Sequence, residues 1–101
     1  MNAQEILNKA RAEGWAIGAF NAVNLEVLKA VVAAAQSQNS PVIAETSSGE
    51  AEYFGMKNFL GMVENFDSAI LTNFDHGPGL EECQNAIEAG YNLVHFDGSS
   101  L

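Results

Sequence analysis

Four short, mostly apolar runs alternate with helical patterns along this chain, and that alternation limits the folds open to it. The runs are residues 16–20, 42–45, 68–74 and 93–96. Between them apolar side chains return at helical spacing: Leu25, Leu28, Val32 and Ala35, then Met56, Phe59, Leu60 and Val63, then Leu80, Cys83 and Ile87. A further helix leads the chain, with Ala3, Ile6, Leu7 and Ala10 on one face, a Glu5–Lys9 pair one turn apart, and Gly14 as its stop. Asn24 is placed to cap the second helix, and Gly90 to end the last. Asn39-Ser40-Pro41 breaks the chain before the second strand, and residues 46–49 read as a polar loop after it. Strand–helix–strand alternation means an α/β fold, with parallel strands joined by right-handed helical crossovers. Four strands are half of an eight-stranded barrel; a free-standing sheet of this size would leave two edges open to pairing.

A chain of 101 residues with 48% hydrophobic content is one domain with a real core. Four basic residues against thirteen acidic ones give a net charge of −9. That balance argues against nucleic acid and against an anionic membrane surface, both of which need clustered lysine and arginine. An anionic substrate would need help from a metal or from backbone amides. The single cysteine, Cys83, has no internal partner and sits on the inward face of its helix, so it reads as core in a reducing compartment. The N-terminus has neither a basic nor an apolar leader pattern, and no stretch reaches the roughly 20 apolar residues of a membrane span. The expectation is a soluble cytoplasmic protein.

Chemistry-bearing residues gather where the strands end. The first strand ends in Asn21 and Asn24, the second in Glu45, Thr46, Ser47 and Ser48, the third in Asp75 and His76, and the fourth in Asp97 and Ser99. In a parallel sheet all four ends lie on one rim, where α/β folds carry their active sites. Adjacent Asp75 and His76 offer a general acid or base beside a metal-binding imidazole. Side chains of neighbouring strand residues point oppositely, so both reach the rim only if the backbone turns there; Gly77 and Gly79 allow such a turn. Asp97 adds an oxygen donor from the next strand. His95, inside the last strand, reads as a packed, hydrogen-bonded histidine. Glu45, Glu50 and Glu52 read as solvated charges.

These stretches, taken together, resemble the class II, metal-dependent fructose-bisphosphate and tagatose-bisphosphate aldolases. The matching segments are Gly18-Ala19-Phe20-Asn21-Ala22-Val23-Asn24, Ser40-Pro41-Val42-Ile43, Ser47-Ser48-Gly49 followed by Tyr53-Phe54-Gly55, Asp75-His76-Gly77, Cys83 with Ala86-Ile87-Glu88-Ala89-Gly90-Tyr91, and Phe96-Asp97-Gly98-Ser99. They fall in family order over nearly the whole chain. The resemblance implies a partial TIM-barrel domain over residues 1–101, the N-terminal half (about four βα units) of a (β/α)8 barrel. It implies reversible cleavage of a ketose 1,6-bisphosphate into dihydroxyacetone phosphate and glyceraldehyde 3-phosphate. A catalytic zinc ion would polarise the ketone and stabilise the enediolate. Asp75 matches the acid/base that takes the proton from the C4 hydroxyl, and His76 matches a zinc ligand. Asp97 matches a carboxylate of a second, more loosely held divalent metal. Ser47 matches a hydroxyl on the aldehyde-side phosphate, and Asn24 a substrate-side contact. The phosphorylated sugar is the implied partner, and the full-length enzyme is expected to be a homo-oligomer.

The segment 56–69 looks shorter than usual in the family, and Asn73 and Ser100 stand where many members have histidine. The chain stops about a third of the way through a family member, before two further zinc histidines. The expectation is therefore an N-terminal fragment of the enzyme, inactive by itself. The alternative is a non-catalytic half-barrel that self-associates or pairs with the missing half.

Overall fold

The computed structural model describes residues 2–101. Its elements run α1 (Ala3–Glu13), β1 (Ala19–Asn21), α2 (Leu25–Ser37), β2 (Val42–Ser47), α3 (Ser48–Phe54), α4 (Met56–Glu64), β3 (Ile70–Gly77), α5 (Leu80–Ala89) and β4 (Leu93–Phe96). The four strands make one sheet in the order β1-β2-β3-β4, and every pair is parallel. Sequence neighbours are thus sheet neighbours, and all strand C-termini share one rim. Among the described residues, no helix is long and apolar enough to cross a membrane.

Local chemistry starts and stops these elements. The Asn2 side chain accepts from the Glu5 N–H at 2.8 Å, and left-handed Gly14 closes α1. Asn24 caps α2 as expected, accepting from the Val27 N–H at 2.9 Å. The segment 46–49 is not a loop. β2 continues to Ser47, which at once caps α3: its hydroxyl accepts from the Glu50 N–H, while the Glu50 carboxylate accepts from the Ser47 N–H. Ser47-x-x-Glu50 is a capping box, a signal present in the sequence.

The sheet has two different faces. On one, Leu28 and Val32 of α2, Ala51 of α3, Phe59 and Val63 of α4, and Cys83 and Ala86 of α5 pack on Ala44 and Phe74. Phe59 is stacked against Tyr91 at a centroid distance of 5.8 Å, and Phe74 meets the same Tyr91 ring edge-on at 5.7 Å. The Tyr91 hydroxyl is 2.6 Å from the buried Thr46 hydroxyl, so the polar end of this aromatic group is satisfied. On the other face, Ile43, Leu71 and Leu93 meet Ile6, Ala3, Trp15 and Ile17, so α1 and the segment after it cover the lower part of the sheet. Residues two and four further along the strands lie above that apolar layer on the same face.

Two expectations about packing change. Leu80 and Ile87 are 80% and 63% exposed, and Cys83 and Ala86 alone form the buried stripe of α5. At 3.6 residues per turn, Leu80 and Ile87 lie roughly 70–90° round the helix from that stripe. Small residues let α5 sit close to the sheet; a Cβ at Gly77 would collide with the Cys83 sulfur. Residues 16–18 are not strand, and β1 is reduced to three residues, all exposed. The strands therefore differ in cover: β2 is buried almost throughout, whereas β1 and β4 are the sheet's edges.

Candidate active site

The geometry of the site begins with a fault in the β3–β4 ladder. Phe74 pairs with Val94 and Gly77 with Phe96, so Asp75 and His76 together stand opposite His95 alone. This is a β-bulge, and His76 carries it with φ 89, a left-handed conformation rare outside glycine. The bulge does what a regular strand cannot: it brings two consecutive side chains to the same place. Gly77 anchors it from behind. Its carbonyl accepts from the Asp97 N–H at 2.9 Å, and a Cβ there would also crowd the His95 carbonyl at 3.1 Å.

Three titratable residues meet Asp75 or one another at this point. His76 Nδ1–H donates to Asp97 Oδ2 at 2.8 Å, and Asp97 Oδ1 accepts from the Ser99 N–H at 2.9 Å. Because the ionised carboxylate can only accept, it fixes the proton of neutral His76 on Nδ1 and leaves the Nε2 lone pair free. That Nε2 lies 3.4 Å from Asp75 Oδ2. His95 Nδ1 lies 3.5 Å from Asp75 Oδ1, and the two imidazole rings meet edge-on at 4.8 Å. The hydrogen bond to Asp97, and then the nearby Asp75 charge, push the His76 pKa above its ordinary value. Hydrogen bonds from Ser99, side chain first and then backbone, with a further one from His76, hold Asp97 well below the usual carboxylate range.

His95 is not packed. Its side chain is 49% exposed and is part of this cluster. The signal lay in its spacing: His95 and Asp97 are two residues apart at a strand end and share a face. Glu45 is not solvated either; it is buried, and its Oε2 accepts from the Asn73 amide at 2.8 Å one layer below Asp75. Glu50 is half-buried in the capping box and accepts from the Asn21 amide at 2.8 Å. Burial raises the Glu50 pKa, but the bonds from the Ser47 backbone, the Asn21 amide and the Ser47 side chain outweigh it and leave it below the ordinary value.

The other sequence-selected residues reach the same rim without joining the cluster. Ser47 is the register partner of Asp75 on the adjacent strand, with its hydroxyl in the α3 cap. Asn24 follows β1, with its side-chain oxygen in the α2 cap. As to a metal, Asp75, His76 and His95 each present one ligand atom, and these atoms lie within 4.8 Å of one another. Two imidazoles and a carboxylate are zinc donors, and the Asp97–His76 bond is the support that metal-ligating histidines need. The residues present fit such an ion.

Parallel βα units with acid, imidazole and carboxylate gathered at the strands' C-terminal rim define part of an α/β barrel. The chain belongs to the class-II fructose-bisphosphate aldolase family, whose model matches residues 1–101. It is 39% identical over 100 residues to a fructose-bisphosphate aldolase of Helicobacter pylori, a match covering 94% of this chain and 33% of that protein. It is 39% identical over 103 residues to the fructose-bisphosphate aldolase of Geobacillus stearothermophilus, covering 95% and 36%. Among solved structures, the YdjI aldolase from Escherichia coli K12 superposes with a TM-score of 0.85 at 28% identity, over 100% of this chain and 41% of that one. The fructose-bisphosphate aldolase of Campylobacter jejuni does so at 0.65 and 27% identity, over 85% and 29%. The chain thus spans about a third of the length of the curated relatives it matches.

Proposed function

We propose that these residues form the N-terminal part of a barrel enzyme that reversibly cleaves a ketose 1,6-bisphosphate, of the fructose or tagatose series, into dihydroxyacetone phosphate and glyceraldehyde 3-phosphate. Asp75 is the acid/base: its carboxylate, 24% exposed at the rim, takes the proton from the substrate's C4 hydroxyl during cleavage and returns it in condensation. His76 holds the catalytic zinc through Nε2, and Asp97 orients the ring from Nδ1. Zinc, when bound, supplies Lewis-acid polarisation of the ketone and stabilises the charge that develops on it. A second divalent cation at Asp97 would have to displace a bond from His76 or Ser99, in keeping with looser binding. Ser47 contacts the aldehyde-side phosphate through the donor side of its hydroxyl, and Asn24 lies on the substrate side.

The observation that carries this reading is the bulge, which turns His76 Nε2 toward Asp75 while Asp97 fixes the other nitrogen. The test is cleavage of fructose and tagatose 1,6-bisphosphates by the full-length protein that carries these residues. Activity lost on chelation and restored by Zn2+ supports it; cleavage indifferent to chelation contradicts it.

A second reading has its own observation. All three residues of edge strand β1 are exposed, and Phe20 and Phe96 on the two edge strands are each at least half exposed. Under this reading the 101-residue chain pairs through its open edges. Sedimentation velocity decides: a concentration-dependent dimer supports it, and a monomer at high concentration contradicts it.

A further inference from the structure

The structure assigns His95 to the metal: we infer that Asp75, His76 and His95 form a three-donor site for a divalent transition metal, complete within this chain. The inference rests on the aldolase reading only for His76 as a ligand; nothing in that reading calls for a second imidazole on β4.

Three features of the cluster carry it. First, the spacing suits an ion better than direct contact. The two histidine-to-Asp75 separations, 3.4 and 3.5 Å, are longer than a charge-assisted N–H···O bond of about 2.7–2.9 Å. Donors about 2.0–2.1 Å from a tetrahedral zinc stand about 3.4 Å apart. Here the three ligand atoms lie within 4.8 Å of one another, so a small closing movement of the exposed rings brings them round one ion. Second, Asp75 faces both rings, with Oδ2 toward His76 and Oδ1 toward His95, so the carboxylate lies between two nitrogen donors. Third, the site is open, with the imidazoles 57% and 49% exposed, so an ion can enter and the remaining position can take water.

The bulge explains why these three residues meet. It sets two residues of β3 against one of β4, and that one is His95. Without the extra residue, His76 would fall on the opposite side of the sheet from Asp75. Asp75 used as a ligand is not free as a proton acceptor, so the three-donor site belongs to the substrate-free chain.

The test is titration of the metal-stripped 101-residue chain with Zn2+ and Co2+, followed by calorimetry and by the visible d–d bands of cobalt. One equivalent is expected to bind, with a low-coordinate cobalt spectrum. His95→Ala is expected to weaken binding beyond the roughly 10–100-fold that loss of a supporting partner causes, and His76→Ala to do at least as much. Both side chains are exposed, and thermal unfolding followed by circular dichroism shows whether the variants stay folded. A measurement on the unaltered chain guards against failure to fold: the His95 ring protons should show large paramagnetic shifts with Co2+. Binding lost in His76→Ala but unchanged in His95→Ala, or His95 ring protons unshifted by bound cobalt, overturns the assignment and leaves the aldolase reading intact. A chain that binds no metal also overturns it, whereas zinc-independent cleavage by the full-length protein is the separate failure of the aldolase reading.

Discussion

The two ends of β3 are built on opposite terms. Its lower and middle part pairs in register with β2, residue for residue, and buries Leu71, Thr72 and Phe74. Its upper end is bulged, puts His76 in a left-handed conformation and leaves that imidazole in solvent. The first part has the regularity that stabilises a sheet. The second has an irregularity that a sheet would not adopt for stability, and the candidate site is there. The stabilising part of the strand and the candidate site are thus distinct, a few residues apart.

That separation can be broken or sharpened by substitution. The largest effect on stability is expected from Phe59→Ala, which empties the centre of the aromatic group under the sheet and should cost about 3–5 kcal/mol in urea denaturation. Tyr91→Phe should cost less, about 1–3 kcal/mol, by leaving the buried Thr46 hydroxyl without its partner. Neither should weaken zinc binding in whatever fraction stays folded; a loss there would mean that the rim is not independent of the core.

At the bulge the signs should differ. His76→Gly and His76→Ala both remove the imidazole, but only glycine adopts φ 89 without strain. The glycine variant should therefore be the more stable of the two by about 1 kcal/mol, with both failing to hold metal. Equal midpoints would show that the bulge is not strained. The smallest effect is set by pH. Glu50 has its pKa lowered in the folded chain, so its contribution is present above the ordinary carboxylate value and is lost as pH falls through the folded value. Glu50→Ala should cost about 0.5–1.5 kcal/mol near neutrality, and the gap to the unaltered chain should close in acid.

The same division explains what could be read from the sequence. The helix and strand order was legible because burial imposes periodicity, and α2 with Asn24, Leu28, Val32 and Ala35 follows its pattern. Asp75, His76 and Asp97 were legible as rim residues because parallel strands place their ends together. α3 is hidden in the sequence because Ser47 to Gly49 looks like a loop until Ser47 and Glu50 are paired as a cap. The inward face of α5 is not legible from side-chain size, because small Cys83, Ala86 and Gly77 make a closer approach than Leu80 and Ile87 would allow. An apolar strand surrounds His95 in sequence and suggests packing; its exposure follows from β4 being an edge and from the bulge facing it. Local periodicity carries no information about either.

Turnover of the ketose bisphosphate by the full-length protein carrying Asp75→Ala, compared with the unaltered protein at equal fold, bears most directly on the site. A fall of about 100- to 10,000-fold with an unchanged urea midpoint is the predicted result. Undiminished turnover would contradict it, because a rim whose acid can be deleted without effect is not where the reaction happens.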